Sequence, residues 1–216
     1  MARLNAIIAA APAFRRKLSS WFKHRGRALP WRATRDPYRI LVSELMLQQT
    51  QVSRVLGYYD RFLARYPTLD ALAAAKPKQV REAWEGLGYY ARARNLHALA
   101  RSVVADCAGT MPQTVDELRA LPGVGPYTAG AVASFAYEQR AAAVDTNVAR
   151  VIRRVFSPRA SNRRTWEIAE SILPRAGRAV WTHNQSIMEL GALVCVARRP
   201  KCGICPVRTE CRSAPR

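Results

Sequence analysis

Acidic residues are scarce in this chain of 216 residues, which has 15 Asp and Glu against 35 Lys and Arg. The resulting formal charge of +20 and pI near 10.9 favour a polyanionic partner, with nucleic acid first and an anionic membrane surface second. Lysine is scarce too, since most basic residues are arginine, whose planar guanidinium suits phosphates and base edges. A GC-rich genome would enrich arginine as well, so composition leaves both explanations open.

Long apolar runs and low-complexity segments are also lacking. No stretch approaches the ~20 apolar residues that cross a bilayer, which argues against a membrane-spanning protein. An apolar content of 49% with only 23% charged residues excludes intrinsic disorder and allows a substantial core. At this length we expect one large domain or two small ones.

The N-terminal segment has no acidic residue before Asp36, which is typical of an organellar transit peptide, and residues 6–14 also resemble a short secretory segment. It nevertheless places large apolar residues at helical spacing, namely Phe14, Leu18, Trp21 and Phe22. We therefore interpret it as an amphipathic helix of the fold and expect a cytoplasmic protein, located at a bacterial or archaeal nucleoid.

Helical patterns cover nearly the whole chain, because Ala, Leu, Arg and Glu dominate and no segment alternates in the manner of a strand. Short breaks with Pro or Gly separate these patterns, so we predict a compact all-α protein. The predicted helices are Pro37 to Tyr59, Pro77 to Glu85, Ala91 to Cys107, Thr114 to Ala120, Tyr127 to Ala136, Thr146 to Val155, Arg164 to Leu173 and Ala179 to Val194.

Four of the 5 cysteines crowd the C-terminal tail, at Cys195, Cys202, Cys205 and Cys211. Disulfides are disfavoured, because a helical chain without a signal sequence belongs in a reducing compartment. Zinc and a cubane iron–sulfur cluster both accept four thiolates, and the spacing alone leaves them equally supported. We expect the fifth, Cys107, to be buried. The cationic residues around the ligands predict contact with a phosphate backbone; they are Arg198, Arg199, Lys201, Arg208 and Arg212.

A hairpin between two short helices is the strongest local prediction. Thr114 and Glu117 form a capping box that begins a helix, and Pro126 suits the first position of the next helix. Gly123 and Gly125 between them would let backbone N–H groups approach an anion near the positive end of that helix. An ordinary helix–turn–helix connection is the alternative, but the charge of +20 favours a phosphate-binding hairpin.

Six segments carry a family resemblance, three of them to a superfamily and three to one group within it. Residues 121–130 (LPGVGPYTAG), residues 144–150 (VDTNVAR) and the four-cysteine tail together resemble the helix–hairpin–helix DNA glycosylases of the endonuclease III superfamily. Residues 29–32 (LPWR), 42–51 (VSELMLQQTQ) and 86–95 (GLGYYARARN) are similar to the A/G-specific adenine glycosylases within it.

The resemblance spans about residues 14–211 and implies a two-lobed helix–hairpin–helix DNA glycosylase fold with an iron–sulfur cluster loop. Residues 31–144 would form a six-helix lobe with the hairpin, and residues 1–30 plus 145–216 an iron–sulfur lobe, with the active site in the cleft between them. It further implies a [4Fe–4S] cluster on the four cysteines, and we also expect a monovalent cation at the hairpin. The expected partner is double-stranded DNA with a mismatch or lesion, bound by a monomer and without a membrane.

Two carboxylates are the catalytic candidates. Glu44 lies among apolar residues, which predicts a raised pKa, and Asp145 directly precedes a helix, where an N-cap is its ordinary role. By the resemblance, Glu44 protonates adenine and Asp145 stabilises an oxocarbenium-like sugar, while Tyr127 and Asn147 hold these groups in place. Tyr127 stands where bifunctional relatives carry a lysine, which predicts a monofunctional enzyme that leaves an abasic site.

Other roles also come from the resemblance. The base-pocket candidates are Arg27, Leu29, Trp31, Arg32, Leu47, Val52 and Glu189. Core packing is the alternative for Leu29, Leu47 and Val52. Gln49 and Tyr89 match residues that enter the duplex, Arg92 and Arg94 would bring positive charge beside them, and the remaining DNA contacts are assigned to Gly123, Gly125 and Thr128.

The sequence departs from the family pattern in two places. The chain ends at Arg216 without the C-terminal domain that reads 8-oxoguanine, so it is either a catalytic core of a longer protein or a natural short form. Thr146 replaces the usual glycine after the catalytic aspartate, so a mismatch thymine or uracil glycosylase is the second expectation. A non-catalytic DNA-binding or redox module is the third, although it would need neither Glu44 nor Asp145.

Overall fold

The computed structural model describes residues 2–215, with side chains from residue 4 onward. Within these residues the chain is helical and has no strand, which confirms the all-α prediction, and none of the described helices is long and apolar enough to cross a membrane. The α-helices are α1 (Ala2–Arg25), α2 (Pro37–Leu47), α3 (Val52–Arg65), α4 (Leu69–Ala73), α5 (Pro77–Ala83), α6 (Ala91–Asp106), α7 (Val115–Ala120), α8 (Pro126–Ala136), α9 (Thr146–Phe156), α10 (Asn162–Ser171) and α11 (Arg178–Leu193). Short 3-10 turns lie at Pro30–Arg32, Cys202–Ile204 and Arg208–Glu210.

The chain divides into two compact units. Unit 1 comprises Met1–Arg27 and Glu138–Arg216, and unit 2 comprises Ala28–Tyr137. These boundaries fall after residues 27 and 137, whereas those implied by the family resemblance fall after residues 30 and 144. The reason for the second difference is that Ala142 and Val144 are buried in the hydrophobic core of unit 1.

Unit 1 is built from α1, α9, α10 and α11. Phe14 and Leu18 of α1 are fully buried, and the Phe14 ring meets the edge of Phe156 at a centroid distance of 5.0 Å. The N-terminal segment is therefore part of the fold, as its apolar spacing predicts. Helix α11 packs against both α1 and α9, which places the start of α9 in a well-packed region.

Unit 2 is centred on α2, which packs against α3, α6 and α8. Residues 40–46 of this helix are all buried, so the helix is enclosed rather than amphipathic. Residues 28–137 contain seven α-helices, whereas the family resemblance implies six for this lobe. Helices α7 and α8 pack together as the predicted hairpin, with Thr114 and Glu117 forming the predicted capping box.

Two local predictions are wrong. The segment predicted as one helix from residue 37 to residue 59 divides into α2 and α3, because Gln49 takes a left-handed backbone with φ of 55°. Cys107 is half-buried rather than buried, since it caps the C-terminus of α6 at the edge of the unit. The short helix α4 was not predicted.

Candidate active site

Glu44 lies on the enclosed helix α2 of unit 2. Asp36 begins this helix, because its carboxylate accepts hydrogen bonds from the backbone N–H groups of Tyr38 and Arg39 at 2.9 and 3.2 Å. Ile40 and the residues after it bury the helix, and only 4% of Glu44 is exposed. A carboxyl group so enclosed requires a hydrogen-bond donor.

Tyr127 supplies such a donor. Its hydroxyl donates a hydrogen bond of 2.5 Å to Oε2 of Glu44, which lies 83 residues earlier in the chain. Gly125 caps helix α8 and Pro126 occupies its first position, so the hairpin places Tyr127 in the first helical turn. The predicted pair of Glu44 and Tyr127 is therefore in contact, and the tyrosine sets the orientation of the carboxyl group.

The hairpin glycines have different local roles. Gly123 has φ of +75°, and a Cβ there would come within 2.6 Å of Cβ of Asn95, so the turn needs glycine for both backbone and space. A Cβ at Gly125 would meet nothing within 4 Å, which leaves that face of the turn open. Only 2% of Thr128 is exposed, so the residue is buried in the unit, and its assignment to a DNA contact stays a prediction.

Gln49 and Tyr89, the two residues expected to enter a duplex, are both exposed. We call them the wedge pair. Each adopts a left-handed backbone, with φ of 55° and 48°, and 59% of Tyr89 is accessible to solvent. A large aromatic side chain held this far out of the core is unusual and fits an insertion role.

Arg92 was expected to present positive charge on the surface beside the wedge pair, but it is buried. Only 7% of the residue is exposed, and its guanidinium donates to backbone carbonyl oxygens inside unit 2. The prediction of a surface cation is therefore wrong for Arg92, because the ends of two loops surround it. Arg94, two residues later, is exposed as expected.

The remaining base-pocket candidates of unit 2 differ in their burial. Leu29 and Trp31 are buried, and the Trp31 ring packs edge-on against Tyr59 at 5.4 Å, so core packing accounts for much of their environment. Arg32, Leu47 and Val52 are half-buried. Their assignment to a base pocket stays a prediction.

Asp145 of unit 1 is the N-cap of α9, as its position in the sequence predicts. Oδ1 accepts a hydrogen bond of 2.6 Å from the backbone N–H of Val148, and Oδ2 accepts one of 2.9 Å from the side-chain amide of Asn147. Burial raises the pKa of Asp145, while these hydrogen bonds act in the opposite direction. Both oxygens are held in fixed directions, which suits a carboxylate that stabilises a cation.

Arg150 extends this arrangement and was not identified from the sequence. Its guanidinium donates to the side-chain oxygen of Asn147, and to the backbone carbonyls of Gly191 and Cys195, each at 2.7 Å. Hydrogen bonds therefore run from Asp145 through Asn147 and Arg150 to the backbone of the first tail cysteine. An arginine one turn after an N-cap aspartate carries no local signal of such a role.

Arg27 and Glu189 form the second polar group of unit 1. The side chain of Glu189 is fully buried, and both of its oxygens accept hydrogen bonds from the Arg27 guanidinium at 2.8 Å. The backbone N–H of Arg27 donates to the same carboxylate at 2.8 Å. The hydrogen bond to Glu189 raises the pKa of Arg27, so the two predicted pocket residues form a stable ion pair.

The four tail cysteines line one cavity. It has about 500 Å³ of empty space, part of it open to solvent, and apolar residues such as Leu190 and Val207 complete its wall. Burial raises the pKa of the Cys205 and Cys211 thiols. Four thiols around one apolar-walled cavity fit a cluster with four cysteine ligands.

Two segments of the chain match models of known protein families. Residues 42–175 match the model of the HhH-GPD superfamily of base excision DNA repair proteins. The chain belongs to this superfamily. Residues 195–211 also match the iron–sulfur binding domain of endonuclease III, so the four cysteines hold a [4Fe–4S] cluster rather than zinc.

Individual HhH-GPD proteins are similar over almost the whole chain. The adenine DNA glycosylase of Rattus norvegicus is 44% identical over 221 residues, which cover 95% of this chain but 42% of that protein. The adenine DNA glycosylase of Mycolicibacterium smegmatis is 45% identical over 91% of this chain and 68% of its own length. A solved thermostable thymine-DNA glycosylase is 32% identical with a TM-score of 0.89, covering 95% of this chain and 97% of that one. The chain thus spans about two fifths of the rat protein.

Proposed function

We propose that this protein is a base-excision-repair DNA glycosylase that removes adenine mispaired with guanine or 8-oxoguanine. The observation that carries the proposal is the hydrogen bond between Tyr127 and the buried Glu44, because it holds a carboxyl group as a general acid would need to be held. The similarity to adenine DNA glycosylases supports adenine as the base. Double-stranded DNA carrying the mismatch is the proposed partner, bound by a monomer in the cytoplasmic nucleoid.

In the proposed reaction the adenine is first flipped out of the duplex, since its glycosidic bond is out of reach in the stack. Glu44 donates its proton to N7, so that the base departs as a better leaving group. Asp145 stabilises the positive charge that develops on the deoxyribose, and Asn147 keeps its oxygens in place. Glu44, now a carboxylate, then accepts a proton from the attacking water.

The proposal includes hydrolysis without strand cleavage. A lyase step requires an amine that forms a Schiff base with the sugar, and the hairpin residue here is a tyrosine, which has no amine. The product is an abasic site that alkali converts into a strand break. The four tail cysteines of unit 1 would hold the cluster, which would supply a fixed scaffold for the cationic loop around it. The monovalent cation at the hairpin stays a prediction.

The test is a panel of duplexes with A, T, U or C opposite guanine or 8-oxoguanine, incubated with the cluster-containing protein and analysed with and without alkali. We expect excision of adenine, with strand breaks after alkali only. Glu44→Gln and Asp145→Asn should each lower the single-turnover rate constant by about 100-fold or more.

Matched controls make the same chemical changes at exposed carboxylates. Glu82→Gln and Asp60→Asn should retain the wild-type rate, because both side chains lie on the surface of unit 2. Wild-type rates in both Glu44→Gln and Asp145→Asn would defeat the mechanism and favour the non-catalytic module. Strand breaks without alkali would defeat the monofunctional assignment.

Thymine or uracil mispaired with guanine is the second candidate substrate. One observation favours it: a solved thermostable thymine-DNA glycosylase is 32% identical to the chain, with a TM-score of 0.89 over 95% of it. The same panel decides between the bases. Excision of thymine opposite guanine, with adenine left intact, would replace the first proposal by the second.

A further inference from the structure

Arg92 is a buried cation that satisfies the end of the catalytic helix. One of its terminal nitrogens, Nη1, donates to the carbonyl oxygens of Leu45, Met46 and Gln48, at 2.9, 2.8 and 2.6 Å. The last carbonyls of a helix have no partner within the helix, and a cation is favoured there by the helix dipole. Arg92 therefore completes the C-terminus of α2 directly after Glu44.

The other side of the guanidinium holds a second loop. Nη2 donates to the carbonyl oxygens of Leu87 and Gly88 at 3.1 and 3.0 Å, and the backbone N–H of Arg92 donates to Tyr89 at 2.9 Å. Burial of a cation is unfavourable unless its N–H groups are bonded, and here carbonyls of two separate loops bond them. Only arginine has a rigid fork that reaches both loops at once.

The two loops are the ones that carry the wedge pair. Gln49 follows Gln48, whose carbonyl accepts from Nη1, and Tyr89 follows Gly88, whose carbonyl accepts from Nη2. Both wedge residues have a left-handed backbone, which is unfavourable for a non-glycine residue and persists only where the surroundings enforce it. The Arg92 guanidinium donates hydrogen bonds to both of these loops and so connects them.

We propose that Arg92 is a positioning residue that holds Gln49 and Tyr89 in the conformation that enters the duplex. The role goes beyond charge, since the residue is buried and its donors are directed at backbone carbonyls. It rests on the proposed function, because the wedge pair has a role only if the protein extrudes a base from DNA. Arg92 acts through these two residues and does not itself touch the base.

The first experiment uses Arg92→Lys, which keeps the charge but replaces the fork by a single ammonium group. The probe is a duplex with 2′-fluoro-2′-deoxyadenosine opposite 8-oxoguanine, whose fluorine slows cleavage, and 2-aminopurine as the neighbouring base. Wild-type protein should increase the 2-aminopurine fluorescence by unstacking, and Arg92→Lys should lose most of that increase. With ordinary adenine its single-turnover rate constant should fall by about 10- to 100-fold, the order expected for a misplaced group, while Kd stays within threefold.

The matched control is Arg101→Lys, an exposed arginine on the same helix, which should behave as wild type in both assays. A double-mutant cycle with Tyr89→Ala then tests the route of the effect. If Arg92 acts through Tyr89, then Arg92→Lys should add less than twofold to the loss of fluorescence in the Tyr89→Ala background. Full additivity of the two effects would overturn the proposal.

A measurement on the wild-type protein covers the case in which Arg92→Lys does not fold. A guanidinium held by both loops rotates slowly about its Cζ–Nη bonds, so the Nη signals of Arg92 in ¹⁵N NMR should be resolved, unlike those of Arg101. Averaged signals for Arg92 would overturn the proposal. Failure of the wild-type protein to excise any base defeats the proposed function, whereas wild-type behaviour of Arg92→Lys in an active protein defeats the positioning role alone.

Discussion

At the scale of single residues, the protein places several polar groups in surroundings where each needs a specific partner. Glu44 is bonded by a tyrosine, Glu189 by an arginine, and Asp145 by a helix N-terminus. Each arrangement directs the carboxyl oxygens toward a specific donor, so these groups have a defined orientation in the folded protein. His183 differs from these carboxylates, because the main effect of its burial is to keep the imidazole uncharged.

His183 should make stability depend on pH. Its ring is buried beside Phe14, and burial, aided by the positive charge of Arg15, lowers its pKa to about 3. The unfolded chain takes up this proton below about pH 6.5 and the folded protein does not, so stability is complete above that pH and falls between about 6.5 and 3. The expected slope from this one group is about 1.4 kcal/mol per pH unit.

The measurement is urea unfolding of wild type and His183→Gln between pH 7 and pH 4.5. The substitution itself destabilises the core, but its curve of unfolding free energy against pH should be flatter than that of wild type by about 1.4 kcal/mol per unit below pH 6. His24→Gln serves as the control, since it makes the same chemical change at an exposed position. Parallel curves for wild type and His183→Gln would contradict the assignment.

At the scale of elements, the N-terminus of α9 depends on its close approach to α11. A Cβ on Gly191 would lie 2.7 Å from Cβ of Asn147 and 3.0 Å from its carbonyl oxygen, so the helices meet where only glycine fits. Gly191→Ala should push Asn147 and Asp145 out of position. We expect a loss of stability of about 1–3 kcal/mol from overpacking, and a decrease of roughly 10-fold or more in the single-turnover excision rate.

Gly57→Ala is the matched control for this substitution. Gly57 lies in the interior of α3 on an exposed surface, and a Cβ there would meet only the end of the Arg61 side chain at 3.4 Å. Replacing a helical glycine on the surface should preserve activity and raise stability by up to ~1 kcal/mol. Equal rates and stabilities for Gly191→Ala and wild type would mean that the start of α9 tolerates displacement.

The elements also show how far sequence reasoning extends. The capping box at Thr114, the N-cap Asp145 and the helix start at Pro126 depend on neighbours within four residues, so they were predicted correctly. The break after Leu47 was missed because it involves Arg92, more than forty residues later. The role of Arg150 was missed for the same reason, because its partners Gly191 and Cys195 lie far along the chain.

At the scale of the whole molecule, the charge is unequally divided. Unit 1 contains 22 of the 35 Lys and Arg but 6 of the 15 Asp and Glu, so the formal charges are +16 for unit 1 and +4 for unit 2. The cationic residues of the cluster loop, Arg198, Arg199, Lys201, Arg208 and Arg212, are all exposed. Unit 2 carries the wedge pair and the hairpin, and from the charge division we expect unit 1 to supply most of the electrostatic attraction to phosphate.

This division predicts which charges determine the salt dependence of DNA binding. Each phosphate contact contributes about 0.9 to the slope of log K against log salt concentration. The triple variant Arg198→Gln, Arg199→Gln, Lys201→Gln should therefore reduce that slope by about 2–3 for an undamaged duplex. The control removes the same number of charges from exposed sites of unit 2, with Lys76→Gln, Lys78→Gln and Arg101→Gln, and should change the slope by less than about 1. Both triples lower the net charge equally, so equal slopes would show that total charge governs binding, and a larger effect of the unit 2 triple would assign the phosphate contacts to that unit instead.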